Sequence, residues 1–202
     1  MSSTGHRPSA SDAGARAELS ELSELCELLR VRSYRPGRFV LASGRESDFF
    51  IDCKQAVLTA RGHVLVGKLM LDALAELPAC EAVAGVALGG CPLASAVSLT
   101  SELAGRPIPA IYVRKETKDH GSRRAVEGDA ALRPGIPVVM LEDVVTTGGS
   151  TLKAVEILRG VGAEVVGVVA IVDRLEGGRE ALTAAKLPFV SLYTRHDFVA
   201  PP

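Results

Sequence analysis

The sequence lacks the features that are typical of secreted, membrane-bound or nucleic-acid-binding proteins. Its 202 residues include only four cysteines, scattered without a Cys-x-x-Cys pair, so neither a disulfide framework nor a zinc site is indicated. The formal net charge is −1, and a chain without a basic excess has no general attraction for nucleic acid or membranes. No apolar run approaches the length of a membrane span or a signal-peptide core. We therefore expect a soluble cytoplasmic protein with reduced thiols.

The chain is predicted to contain a short polar tail and one domain. Residues 1–15 are small and polar, and we expect them to be disordered. Hydrophobic residues make up 47% of the sequence, so residues 16–202 are expected to form a single domain with a sizeable core. Within residues 16–60, leucines at helical spacing predict an amphipathic helix, and two apolar runs around ASGRESD predict a two-stranded hairpin. The main core is expected over residues 61–202.

Helices and strands alternate along this core. Short β-branched runs predict strands at 82–88, 108–113, 138–141, 165–172 and 189–192. Helical spacing predicts helices at 64–77, 93–103, 151–159 and 179–185. This alternation predicts an α/β fold with a central, mainly parallel sheet flanked by helices. In such folds ligands bind beyond the carboxyl ends of the strands.

The stretch VVMLEDVVTTGGST, residues 138–151, carries the most specific chemical signal. A buried strand pattern runs into a Thr/Gly/Ser turn and then a helix start, and backbone N–H groups at such a turn bind a phosphate. The turn is not a Walker A loop, because it contains no lysine. Glu142 and Asp143 precede it, and carboxylates there suit sugar hydroxyls or a water-coordinated Mg²⁺. An ordinary helix N-cap turn beside two exposed acids is the alternative.

The same stretch resembles the phosphoribosyl-pyrophosphate (PRPP) signature of type I phosphoribosyltransferases. The resemblance implies the fold of that family, PRPP with Mg²⁺ as the donor substrate, and Mg²⁺ held mainly by substrate and water. The two acids would hold the ribose hydroxyls, and the turn would hold the 5′-phosphate. The PRPP-binding residues that it implies here are Glu142, Asp143, Val144, Val145, Thr146, Thr147, Gly148, Gly149 and Ser150.

The segment RKETKDHG, residues 114–121, resembles the lid of orotate phosphoribosyltransferases. It opens a long polar stretch, residues 115–133, and a loop of that length in a compact domain is typical of a functional lid. The resemblance implies that Arg114, Lys115, Lys118 and His120 bind PRPP. Lys118 would be the catalytic cation on the pyrophosphate, and Asp143 would support positive charge developing on the ribose. A solvated charged loop is the alternative for this segment.

Two further segments resemble the same family. FVLASGRESDFFID, residues 39–52, is similar to its N-terminal hood, and IVDRLEGG, residues 171–178, is similar to a strand end whose arginine meets the orotate carboxylate. The implied orotate-binding residues are Phe49, Phe50, Thr146 and Arg174. A guanidinium suits a carboxylate, and aromatic walls suit a planar base. Taken singly, an ordinary hairpin and a surface ion pair are the alternatives.

The chain also departs from the family pattern. Ala42 stands where family members often have the hood lysine, and Leu88-Gly89-Gly90 replaces a frequent Tyr-Lys-Gly. Two cationic contacts to PRPP are therefore missing, and Arg123 and Arg124 are candidates to replace that charge.

The resemblance implies a homodimer in which the lid acts across the interface. It leaves open two other activities, namely a purine or uracil phosphoribosyltransferase and a non-catalytic PRPP sensor.

Overall fold

The computed structural model describes residues 10–40, 46–114 and 125–199. The helices are α1 (Ala10–Arg32), α2 (Lys54–Val57), α3 (Ala60–Ala73), α4 (Gly90–Leu103), α5 (Gly149–Gly160) and α6 (Gly178–Ala184). The strands are β1 (Tyr34–Val40), β2 (Glu46–Ile51), β3 (Ala82–Val86), β4 (Ala110–Val113), β5 (Val126–Glu127), β6 (Pro137–Val145), β7 (Glu164–Asp173) and β8 (Phe189–Thr194). Single 3-10 turns follow α3, β5 and β8.

The strands form two sheets, which confirm the predicted fold class. The central sheet has the order β5-β4-β3-β6-β7-β8, and every neighbouring pair is parallel except β4 with β5. Strands β1 and β2 form a separate antiparallel pair, which we call the hood hairpin. The predicted two-stranded hairpin is thereby confirmed.

Apolar layers cover both faces of the central sheet. One contains Leu25 of α1, Leu65 of α3 and Leu93 of α4, and the other contains Leu158 of α5 and Leu182 of α6. All five side chains are fully buried, so each contributes about 1.5–3 kcal/mol of transfer free energy on folding. Among the described residues, no helix combines the length and apolar character that a membrane crossing requires.

Several boundaries differ from those predicted. Helix α1 begins at Ala10, inside the predicted tail, while residues 1–9 lie outside the described part. Strand β6 continues to Val145 because the β-branched pair after the acids extends the strand. The stretch predicted as one long loop, 115–133, contains strand β5 and a 3-10 turn, since Val126 pairs with Val113 at the sheet edge.

Strand β3 and helix α4 approach each other so closely that Gly85 admits no side chain. A Cβ at Gly85 would lie 2.0 Å from the carbonyl oxygen of Gly90, which is far inside van der Waals contact. The following helix therefore begins directly above the carboxyl end of β3. This contact fixes the position of the loop between them.

We expect Gly85→Ala to lower the free energy of unfolding by about 1–3 kcal/mol, because overpacking against backbone forces the helix to move. Urea unfolding measures the change. Gly160→Ala is the matched control, since a Cβ there meets nothing within 4 Å and alanine favours the helix. Equal stability of Gly85→Ala and the wild type would show that the helix start is not held by this contact.

Candidate functional site

The segments that carry the predicted site residues leave the same edge of the central sheet. Arg114 follows β4, Gly89 lies between β3 and α4, residues 146–148 follow β6, and Arg174 follows β7. These four strands are neighbours and parallel, so their carboxyl ends lie side by side. This is the edge at which ligands of such sheets bind.

The predicted phosphate turn is a three-residue connection, residues 146–148, between β6 and α5. Gly148 has a φ of 77°, a conformation that glycine adopts without steric cost. Gly178 packs against the turn, and a Cβ there would lie 2.8 Å from the carbonyl oxygen of Thr146. The exposed residues of the turn and helix start are Thr147, Gly149 and Ser150. A helix N-terminus with exposed hydroxyls is therefore open to an anion.

The two predicted carboxylates lie on opposite faces of β6. Successive strand residues point to opposite sides of a sheet, and the contacts follow this rule. Glu142 contacts Thr151 of α5, whereas Asp143 lies against Gly89, just before α4. The two acids are therefore not equivalent, and each has its own surroundings.

Glu142 is buried, with 5% of its surface exposed. The hydroxyl of Thr151 donates a hydrogen bond of 2.8 Å to its Oε1 atom, and Thr151 itself is 1% exposed. Because Thr151 belongs to the first turn of α5, this bond joins the acidic strand end to the helix that opens the phosphate turn. The position of one predicted half of the site therefore depends on the other half.

Asp143 is partly buried and packed against backbone. The amide of Val144 donates to its Oδ1 atom at 2.9 Å, and a Cβ at Gly89 would lie 2.4 Å from its Oδ2 atom. Burial raises the pKa of Asp143, and the positive charge of Lys54 is the strongest influence in the opposite direction. Asp143 is thus a desolvated carboxylate with one dominant cationic neighbour.

Arg174 is buried and fastened to the hood hairpin. Its Nη2 atom donates to the Ser47 hydroxyl at 2.6 Å and to the Phe49 carbonyl at 3.4 Å, and its guanidinium carbon lies 4.1 Å from the centre of the Phe49 ring. Its Nε atom pairs with Glu176 at 2.9 Å. Beside it, a cavity of about 390 Å³ is lined by Glu46, Ser47, Asp48, Glu176 and Arg195.

The two predicted base-contacting phenylalanines face opposite sides of β2. Phe49 is fully buried, whereas Phe50 is 40% exposed and lies 5.6 Å, centre to centre, from the ring of Phe39. The two rings therefore cannot form one wall of a pocket, because strand alternation separates them. Of these two rings, that of Phe49 lies beside Arg174.

Of the predicted lid residues, only Arg114 belongs to the described part of the chain. It directly follows β4, and its guanidinium pairs with Glu127 of β5. Lys115, Lys118 and His120 lie outside the described residues, as do Ala42, Arg123 and Arg124.

Three residues of the site were not singled out by the sequence motifs. Thr151 lies at the end of the phosphate-turn motif, and only the strand-to-helix geometry shows that it holds Glu142. Ser47 is part of the hood pattern, but its contact with Arg174 spans 127 residues. Lys54 belongs to no motif, so nothing in its local sequence indicates that its charge acts on Asp143.

The sequence is similar to a known protein family and to its members over most of the chain. Residues 72–187 match the family described as phosphoribosyl transferase domain. An orotate phosphoribosyltransferase of Sorangium cellulosum (strain So ce56) is 71% identical over 183 residues, which cover 91% of this chain and 95% of the relative. An orotate phosphoribosyltransferase of Rhodopseudomonas palustris (strain TIE-1) is 43% identical over 191 residues, covering 94% and 98% respectively.

Solved structures show the same relationship. The Mycobacterium tuberculosis H37Rv orotate phosphoribosyltransferase in complex with Fe(III) dicitrate matches with a TM-score of 0.75 and 40% identity, covering 88% of this chain and 98% of that one. The same enzyme in complex with PRPP matches with a TM-score of 0.72 and 37% identity over the same shares. The chain belongs to the phosphoribosyltransferase family and, within it, to the orotate phosphoribosyltransferases.

Proposed function

We propose that the protein transfers the 5-phosphoribosyl group of PRPP to orotate, giving orotidine 5′-monophosphate and pyrophosphate in pyrimidine biosynthesis. The observation that carries this proposal is the 71% identity to an orotate phosphoribosyltransferase across nearly the whole of both chains. The related M. tuberculosis enzyme has been crystallised with PRPP. The outward-facing turn at the start of α5 and the acids before it supply the chemistry that such a donor needs.

The donor site is assigned to the β6–α5 connection. The 5′-phosphate would be bound by the N–H groups and hydroxyls of residues 146–150, and the ribose hydroxyls by the carboxylates of Glu142 and Asp143. Val144 and Val145 would position the strand end from which these groups project, since Val145 is buried and its carbonyl accepts a hydrogen bond from the Arg174 amide. Binding donor and acceptor side by side supplies much of the rate enhancement.

Mg²⁺ is proposed to enter with PRPP. Among the described residues, no group of three or more His, Cys, Asp or Glu side chains is placed to hold a metal ion, and the two acids of β6 face opposite ways. Two carboxylates that face opposite ways suit a cation that takes most of its ligands from PRPP and water. When bound, Mg²⁺ would neutralise charge on the diphosphate.

The reaction requires no covalent intermediate with the protein. A ring nitrogen of the base gives up its proton to solvent and attacks C1 of the ribose, and pyrophosphate leaves with the electron pair of the C1–oxygen bond. Burial raises the pKa of all four cysteine thiols, so none is activated as a nucleophile. We assign stabilisation of the leaving group to Lys118, with Arg114, Lys115 and His120 as further lid contacts, and stabilisation of the ribose to Asp143.

The acceptor site is assigned to Arg174, Thr146 and the hood hairpin. The Arg174 guanidinium would meet the orotate carboxylate, and the buried ring of Phe49 holds that guanidinium in place. Phe50 lies on the other face of β2 and is not assigned to this site. We further propose a cytoplasmic homodimer in which the lid of one protomer reaches the site of its partner.

The function is tested by incubating the protein with PRPP, Mg²⁺ and orotate, and measuring orotidine 5′-monophosphate by chromatography. Uracil, hypoxanthine and adenine serve as competing bases, and we expect orotate alone to react efficiently. Turnover of only a purine or uracil would contradict the choice of base while leaving the donor assignment intact. PRPP binding without turnover of any base would favour a PRPP sensor.

Arg174→Ala should raise the KM for orotate at least ten-fold and change the KM for PRPP by less than about three-fold, because a charge-assisted hydrogen bond is worth about 1.5–3 kcal/mol. Arg61→Ala is the control, since its guanidinium pairs with Glu24 on the surface at 2.5 Å. Steady-state kinetics on variants of unchanged thermal stability provide the measurement. Equal increases in both KM values would argue against the carboxylate contact.

Thr151→Val should raise the KM for PRPP several-fold and lower the free energy of unfolding by about 1–3 kcal/mol. The substitution removes a hydrogen-bond donor from a buried carboxylate at nearly constant volume. Thr183→Val is the control, because the Thr183 hydroxyl is exposed and donates within its own helix to the Arg179 carbonyl at 2.8 Å. An unchanged KM for PRPP in Thr151→Val would show that Glu142 does not need this bond for its role.

A further inference from the structure

Lys54 lies where the hood hairpin passes into the core. It is the first residue of α2, and its ammonium pairs with the carboxylate of Asp52 at 2.5 Å. The preceding residue, Cys53, is fully buried, and its Sγ atom lies 3.8 Å from the carbonyl oxygen of Asp143. The backbone that carries Lys54 is therefore anchored against the end of β6, while its side chain is 40% exposed.

The charges of Lys54 and Asp143 act on each other. Burial raises the pKa of Asp143, Lys54 is the main influence lowering it, and Asp52 raises it slightly. The pKa of Lys54 is raised: burial opposes its charge, but the hydrogen bond to Asp52 and the charge of Asp143 outweigh that effect. Cys53, the other titratable group at this point, has a raised thiol pKa and is neutral. Lys54 is thus a charged ammonium beside the candidate ribose site.

The loop before α4 offers no side chain at this point. A Cβ at Gly89 would lie 2.4 Å from Oδ2 and 2.5 Å from the carboxyl carbon of Asp143, so any larger residue there displaces the carboxylate. A cation that serves this part of the site must therefore come from another element. Among the described residues, Lys54 is the cation whose charge acts on Asp143.

A bound PRPP molecule would bring further negative charge close to Asp143, so a nearby positive charge would favour its binding. The diphosphate is attached to C1 of the ribose, next to the C2 hydroxyl, so a carboxylate that binds the ribose diol lies within a few ångströms of the diphosphate. Two like-charged groups that close repel each other strongly in a partly desolvated site. A neighbouring ammonium relieves that repulsion and gains charge-assisted hydrogen bonds.

We propose that Lys54 is a further PRPP-binding residue, whose ammonium leaves Asp52 and binds the diphosphate when PRPP enters. The proposal rests on the proposed function, because it takes PRPP as the donor. The exchange is electrostatically favourable, since a diphosphate carries more negative charge than the single carboxylate of Asp52. In the free protein, Asp52 keeps the ammonium close to the site.

The test compares Lys54→Met, Lys54→Gln and Lys54→Arg by calorimetric titration with magnesium pyrophosphate and with PRPP, in the absence of any base. We expect the Kd of both ligands to rise about ten-fold or more in the Met and Gln variants and to stay within about three-fold of wild type in Lys54→Arg. Lys68→Met is the matched control, because Lys68 makes a comparable pair with Glu21, at 2.6 Å, on the surface. Its affinities should not change.

Unchanged Kd values in folded Lys54→Met and Lys54→Gln would overturn the proposal. Asp52→Asn gives an independent measurement, since it frees the ammonium and should leave pyrophosphate affinity equal or tighter; a ten-fold loss would contradict the exchange. Because no base is present, a failure of orotate to react would remove the base assignment and leave these results standing.

Discussion

The alternation of side chains along β6 determines how this site is built. Glu142 and Asp143 are consecutive, so one faces the layer of α5 and α6 and the other faces the layer of α3 and α4. Glu142 accordingly takes its partner from α5, through the Thr151 hydroxyl, while Asp143 meets the Gly89 backbone and the charge of Lys54. A ligand held by both acids therefore rests on the sheet edge, with each helical layer supporting one contact.

The two acids also show two ways of keeping a carboxylate out of water. An uncompensated buried charge costs several kcal/mol, and the chain offsets this cost differently on each face. Glu142 has a direct hydroxyl donor, and Asp143 has the adjacent amide of Val144 together with the charge of Lys54. The first arrangement fixes a side chain, whereas the second leaves an electrostatic connection that a bound anion is able to alter.

The parts of the fold that were predictable from sequence are those with strong local patterns. The strand, turn and helix of residues 138–151 were visible because an apolar run ends in glycines and hydroxyls, and the mainly parallel sheet followed from similar runs elsewhere. Strand β5 was missed because it has two residues, too few to show a period, and depends on pairing with Val113. The start of α1 at Ala10 was missed because its small residues also suit a tail, although alanine favours helices. The partners of the site residues were not predictable from sequence. Ser47 contacts Arg174, and the charge of Lys54 acts on Asp143, only once the chain has folded.

The contacts of Arg174 have a consequence for the order of folding. Its hydrogen bonds to Ser47 and Phe49 join residues 127 and 125 positions apart, whereas the two strands of the hood hairpin are neighbours in sequence. Closing so long a loop costs chain entropy that must be spent before the contact forms. Chain entropy therefore favours local formation of the hairpin before its attachment to the end of β7. The cavity beside Arg174 is complete only when segments from both ends of the chain have come together.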